Sequence, residues 1–388
     1  MRETKENRIE TIVKNIKKRA KPLTFAIKIA VIIIILFLVI ELLSFCITKI
    51  YQAKLVKDAE KISLFEDKEF AKSYFKELRD SDRWEYAPYL GFKRIPNYSG
   101  KYINIDEESI RKTKQYCNLS EKKVKIFVFG GSTVWGSWAT DNGTLPSQLS
   151  RYLCENNISA EITNFGEGAY VSTQDIIRLQ LELKKGNVPD IVIFYGGIND
   201  LFSAYQSETA GLPQNIKDRK EDFGARKKLN VIGFLLNSDT VRIMKKVFPS
   251  PSKQATSNET LEESIVAAYL NNANITKGLE DDFGFKSFFY WQPALCTKET
   301  SSAYEKTIER NGAEETSYIR ISKKMGNQKE VTDLSRIFDN ETQSVYADPL
   351  HVSDEGNWLI AQAIGKDIAG YLNSKDDKRK VYKQLKNS

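Results

Sequence analysis

The sequence predicts an α/β fold, a parallel β-sheet covered by helices on both faces, behind one N-terminal transmembrane helix. Three observations predict it. From residue 124 onward, short apolar runs ending at glycine or acid clusters alternate with segments of helical periodicity. The residues able to carry chemistry fall just after those runs, at strand carboxyl ends, where open sheets of this kind gather their sites. Ahead of them lies Ile29–Ile40, IAVIIIILFLVI, without one polar side chain.

The apolar run is read first. Leu23 to Ile47 gives 25 positions in which Lys28 and Glu41 are the only charges, and a helix needs about 20 mostly apolar residues to cross a bilayer. Lys28 sits near one end, where its stem can snorkel. A cleaved signal would have a shorter apolar region and a small-residue cleavage site; here the run continues into ELLSFCITKIYQAK. Residues 1–22 are therefore a basic tail and 23–48 an uncleaved anchor. Residues 1–21 hold eight Lys/Arg against three Glu, and the flank after the run holds fewer. That asymmetry puts the N-terminus in the cytoplasm and the rest outside a plasma membrane crossed once.

Residues 49–120 read as a stalk, with short strands and turns, that packs on the next domain. VKIFVFG at 124–130 is a buried strand, and further strands are expected at Ala160–Phe165, Asp190–Tyr195 and Lys286–Trp291. Ser172 with Asp175 makes a capping box for a helix burying Ile176, Leu179 and Leu183. A last helix begins near Ser353 with Ile360, Ile364 and Ile368 at four-residue spacing. Residues 203–283 are too long for one crossover. They form an insertion with helical stretches at Leu229–Phe248 and Leu261–Leu279, joined by a polar linker. The domain ends near 374, and 375–388 is a second basic tail.

Composition removes several classes. The net charge of +7 is concentrated at the two ends, and the first basic end abuts the apolar run, so topology accounts for it better than nucleic acid. Cys46, Cys117, Cys154 and Cys296 form no metal motif and fix no disulfide pairing. With one histidine in the chain and no cysteine cluster, no transition-metal site and no cofactor are expected. No P-loop, G-x-G-x-x-G, H-E-x-x-H or G-x-S-x-G is present.

Four clusters remain: Gly130-Gly131-Ser132-Thr133, Asn164-Phe165-Gly166-Glu167-Gly168-Ala169, Gly196-Gly197-Ile198-Asn199-Asp200, and Asp348-Pro349-Leu350-His351. Each meets a need of acyl transfer. A serine hydroxyl needs a base, and His351 is the sole histidine. A carboxylate that fixes the imidazole tautomer makes it a better base, and Asp348 lies three residues earlier, within reach of Nδ1. A developing oxyanion needs preorganised donors, which backbone N–H groups at these glycine-rich ends and the Asn199 amide can supply.

In this order the clusters resemble the sequence blocks of SGNH/GDSL hydrolases: Ser132 in FVFGGST, the block NFGEGAYVSTQ, Gly197 and Asn199 in IFYGGIND, and Asp348 with His351 in DPLHVSDEGN. The resemblance spans about residues 121–374. It implies a flavodoxin-like three-layer α/β/α sandwich with a central parallel sheet, catalysis by Ser132, His351 and Asp348, and an oxyanion hole of the Ser132 N–H, a block-two N–H and, from the third block, Gly197 with the Asn199 amide. The first block reads GGST rather than GDS. The family's block-two glycine falls on Ala169, with Gly168 one residue early, and either N–H can be that donor.

The expected activity is hydrolysis of acyl esters, acetyl among them, on an extracytoplasmic glycan or lipid. The same triad serves an O-acyltransferase acting on an envelope polysaccharide, and the fold alone could serve a silent envelope assembly protein. The topology has a direct check: protease added to sealed spheroplasts should digest the chain from about Glu69 onward. Full protection of that region would reverse the orientation.

Overall fold

The computed structural model describes residues 3–59, 67–117, 123–216, 259–310 and 312–386. The expected helix at Leu229–Phe248 and most of the polar linker after it lie outside the described residues. The N-terminal helix, up to Leu55, belongs to one compact unit and the sheet with its helices to another.

The first helix, α1 (Glu3–Ala59), runs past both ends of the expected anchor. Within it Ile27–Ile47 is long and apolar enough to cross a membrane. Isoleucines, leucines and valines along this stretch are mostly exposed, as a lipid-facing helix requires.

The second unit begins at Val56, and its first whole helix is α2 (Lys68–Ser81), whose first-turn N–H groups are capped by the Asp67 carboxylate. Two antiparallel pairs follow, β1 (Trp84–Ala87) with β2 (Gly91–Arg94) and β3 (Tyr98–Ser99) with β4 (Asn104–Ile105). The main sheet has five strands: β5 (Val124–Gly130), β6 (Ala160–Asn164), β7 (Ile191–Gly196), β8 (Lys286–Trp291) and β9 (Thr332–Asp333). Their spatial order is β6-β5-β7-β8-β9, and every pairing is parallel. This is the flavodoxin-like order, with its switch point between β5 and β7.

Alternation along the strands makes the three layers. Ile126 and Val128 of β5, with Ile191 and Ile193 of β7, meet α4 (Leu145–Glu155) and α9 (Asp354–Lys386) on one face. Phe127, Phe129, Val192 and Phe194 meet α5 (Ser172–Lys184), α6 (Ile198–Ser207), α7 (Glu259–Phe283) and α8 (Gly312–Met325) on the other. The short α3 (Ser132–Trp135) follows β5 directly.

Some local expectations change. Helix α5 starts at Ser172 itself, so Ser172 is not its cap. The Ser172 N–H and hydroxyl both turn to the Asp200 carboxylate, and Gln174 Oε1 accepts the Val171 N–H at 3.2 Å. The tertiary carboxylate replaces the local one that the spacing suggested. Cys117 and Cys154 form a disulfide with Cα atoms 5.3 Å apart. Helix α9 continues through residue 374 to Lys386.

One buried ion pair holds the loop ahead of α9. Lys298 Nζ donates to Glu305 Oε2 at 2.7 Å, and both side chains are fully shielded from solvent. Glu305 Oε1 also accepts from the Val345 and Tyr346 N–H groups. Removing one member of such a pair leaves an uncompensated charge. Glu305→Ala should therefore cost about 3–5 kcal/mol, read from urea unfolding of the detergent-solubilised chain; a loss under 1 kcal/mol would mean that the loop does not depend on the pair.

Candidate active site

The candidate residues meet at the carboxyl ends of β5 and β7. Ser132 opens α3 one residue after Gly131, and its N–H, at the first helical position, has no intrahelical acceptor. Its Oγ lies 2.7 Å from His351 Nε2, across 219 positions of sequence. His351 Nδ1 lies 2.7 Å from Asp348 Oδ2. The other carboxylate oxygen accepts the N–H groups of Leu350 and His351, each at 2.8 Å. Burial, the largest single influence, pushes the Asp348 carboxyl up, but the imidazole and these hydrogen bonds together outweigh it and hold the group below the ordinary aspartate value. Asp348 therefore stays ionised, and it fixes Nδ1 as the protonated ring nitrogen, leaving Nε2 to accept from Ser132.

Asn199 stands in the first turn of α6. Its Nδ2 donates to the Tyr170 carbonyl at 2.8 Å, and its Oδ1 accepts from Gln214 Nε2 at 3.1 Å. One amide hydrogen remains. The amide packs directly over the Gly131 Cα, where any β-carbon would collide with Nδ2. Glycine at 131 is what lets Asn199 approach the Ser132 backbone. Gly197 answers a different need: its φ is 119°, and a β-carbon there would enter the Trp291 ring.

The block-two loop separates its two candidate donors. The Gly168 N–H donates to Glu167 Oε1 at 2.9 Å. The Ala169 N–H meets no acceptor among the described residues, and Ala169 holds φ at 64°. Sequence reasoning passed over what holds this loop. Arg94 is buried, its Nε lies 3.2 Å from Glu167 Oε1, and its N–H donates to Oε2 at 2.9 Å. Burial pushes the Glu167 carboxyl up and the Arg94 guanidinium down, and each partly restores the other. Glu167 lies within the block NFGEGAYVSTQ; Arg94 carries no spacing signal. Arg111, also buried, donates to the Trp135, Gly136 and Ala139 carbonyls just beyond Ser132.

Parallel strands in flavodoxin-like order, with serine, histidine and aspartate in hydrogen-bond series at their carboxyl ends, form an arrangement that serine acyl hydrolases use. Residues 126–364 match the family described as GDSL-like lipase/acylhydrolase. The chain belongs to that family and is an ester hydrolase of the SGNH type. No curated protein matches it. Solved structures similar to it include an acetyl xylan esterase, AlAXEase (14% identity, 63% of this chain and 100% of that one, TM-score 0.34). A carbohydrate acetylesterase family member from Sinorhizobium meliloti gives 11% identity, 65% and 100% coverage and TM-score 0.35. Axe2, an acetylxylan esterase from Geobacillus stearothermophilus, gives 12% identity, 64% and 96% coverage and TM-score 0.34.

Beside the site, Asp200 and Asp175 are buried carboxyls. Burial raises both, Asp200 to about 6, and Asp200 adds to the rise at Asp175. Below the ordinary value of 3.8 the folded and unfolded chains both hold the Asp200 proton. Between there and about 6 only the folded chain keeps it, so stability falls as pH rises through that window. The fall should be about 3 kcal/mol. Asp200→Asn should lessen the fall in urea-unfolding stability between pH 4 and 6 by about 3 kcal/mol, leaving the part due to Asp175 and Asp354, which burial also raises; an unchanged slope would place the titration elsewhere.

Proposed function

We propose that this chain is a membrane-anchored serine esterase that removes acyl groups from a glycan or lipid outside the cytoplasm. The observation that carries the reading is the hydrogen-bonded series Ser132 Oγ, His351 Nε2, His351 Nδ1, Asp348 Oδ2, with both links at 2.7 Å. The anchor rests on Ile27–Ile47 and the basic flank before it. The Cys117–Cys154 disulfide supports an oxidising compartment for the sheet domain.

In this reading His351 Nε2 takes the Ser132 proton as Oγ attacks the ester carbonyl carbon. The C=O π pair moves to oxygen, and the oxyanion is received by the N–H groups of Ser132 and Ala169 and by the free hydrogen of the Asn199 amide. Ala169 is preferred to Gly168 because the Gly168 N–H is already bonded to Glu167. Collapse breaks the bond to the alcohol, which leaves with the proton from His351. Water then repeats the sequence on the acyl-enzyme and releases the acid. Asp348 stays ionised throughout and stabilises the imidazolium. A cavity of about 640 Å³ beside Asp348, lined by Ile198, Phe202, Tyr318 and Leu350 among others, gives room for the rest of the substrate.

The test is kinetic, on a short-chain aryl ester. Ser132→Ala and His351→Ala should each abolish most turnover, and the double variant should be scarcely worse, since the pair acts as a unit. A fluorophosphonate should label Ser132 in the wild type and far more slowly in His351→Ala. Asn199→Ala should lower kcat by about 10²–10³, the effect of one lost oxyanion donor. With no second histidine to substitute, a folded His351→Ala chain working at the wild-type rate would end the proposal.

A further inference from the structure

We infer that the segment ahead of the family-matched region completes the catalytic centre, and that Arg94 is a positioning residue for the oxyanion hole. The inference rests on the serine-esterase reading above. The family match begins at residue 126, yet the β1–β2 hairpin touches the block-two loop at four points. Tyr170 donates its hydroxyl to the Phe92 carbonyl at 2.5 Å, and Gln174 Nε2 donates to the Leu90 carbonyl at 2.7 Å. The Arg94 N–H and guanidinium both reach Glu167. The Trp84 ring lies over Gly168, close enough that a β-carbon there would press on it.

These contacts bracket Ala169. Glu167 and Gly168 before it are held through Arg94, and Tyr170 after it is held by Phe92. Glu167 takes the Gly168 N–H for itself, so of the two adjacent donors the one left open is Ala169. Tyr170 in turn accepts from Asn199 at its carbonyl, so the hairpin reaches a second oxyanion donor through one more bond. The guanidinium also stacks on Trp135, with Cζ 3.7 Å from the ring centroid, and Trp135 belongs to the helix that Ser132 opens. Arg94 is thus in contact both with the nucleophile's helix and with the loop that presents Ala169, and it fixes their separation. A displacement near 1 Å at such a site costs about 10²-fold in rate.

The experiment uses the full chain in detergent, a short-chain aryl ester and two variants. Glu167→Gln keeps the shape but exchanges one of the two oxygens that accept the Gly168 and Arg94 N–H groups for an NH2, and loses the charge that holds Arg94. Arg94→Met with Glu167→Gln removes both buried charges together and so leaves neither unpaired. Active sites are counted by fluorophosphonate labelling of Ser132, so rates refer to folded enzyme only. Per labelled site, kcat should fall by about 10-fold to 100-fold with KM within about threefold. Adding Asn199→Ala to the double variant should cost less than Asn199→Ala costs alone, because the two changes act on one oxyanion hole. Unchanged kcat per labelled site, a loss confined to KM, or full additivity with Asn199→Ala would overturn the inference. If wild-type Ser132 neither labels nor turns over ester, it is the serine-esterase reading that fails.

Discussion

The site depends on one indole. Trp135 lies fully buried between two guanidiniums, Arg94 with Cζ 3.7 Å from the ring centroid and Arg111 with Cζ at 4.4 Å. A desolvated cation on an aromatic face contributes about 2 kcal/mol or more. Here two such contacts converge on the third residue after Ser132. Arg111 also closes α3 from its other end through the Trp135 and Gly136 carbonyls, and pairs with Asp141 at 3.1 Å. Four residues of helix could not hold a serine in register alone, since nucleation is unfavourable and packing must supply the stability. The two arginines, both from residues 67–117, contribute to it, together with the buried Val134 and the Asn164 amide, which donates to the Val134 carbonyl at 3.0 Å.

Burying these charges is costly. A guanidinium and a carboxylate taken out of water lose several kcal/mol each, and their attraction regains that only when geometry and added hydrogen bonds are good. Arg94 gains Glu167, Asp82 and the Ser81 carbonyl as partners, although its Nε lies 3.2 Å from Glu167 without a hydrogen bond. Lys298 and Glu305 repeat the device on the far side of the site, where Glu305 holds the chain just before Asp348 through two backbone N–H groups. Ion pairs thus brace the block-two loop and the histidine loop, the two parts of the site that regular structure does not fix. Ser132 and Asn199 instead follow closely on β5 and β7.

That division explains how much the sequence disclosed. The sheet was legible because β5, β7 and β8 are apolar on both faces and end at glycine or tryptophan, and α9 because Ile360, Ile364 and Ile368 recur at helical spacing. Ser132, Asn199, Asp348 and His351 could be picked out because each follows a strand end or precedes the closing helix. The sole histidine left no rival. Arg94 and Arg111 could not be read, because they lie in a stretch of mixed charge where nothing local distinguishes a buried arginine from an exposed one. Their partners are 73 and 30 positions away. The start of α5 was misread for a related reason: Asp200, 28 positions on, competes for Ser172 and wins.

In the proposed mechanism the pairing of Glu167 with Arg94 also answers an electrostatic conflict. The Glu167 carboxylate accepts the N–H of the residue just before Ala169, so it lies close to where an oxyanion would form. An uncompensated negative charge there would oppose the transition state, and in a site shielded from water that opposition is weakly screened. Yet the carboxylate is needed, because without it the Gly168 N–H would be left free and the loop would lose its anchor to β2. Arg94 resolves this by cancelling the charge at 3.2 Å while leaving the hydrogen bond in place. Lysine would supply the charge as a point, but not the planar group whose Cζ lies 3.7 Å from the Trp135 ring centroid while its Nε lies 3.2 Å from Glu167. Charge balance and geometry therefore fall to the same side chain.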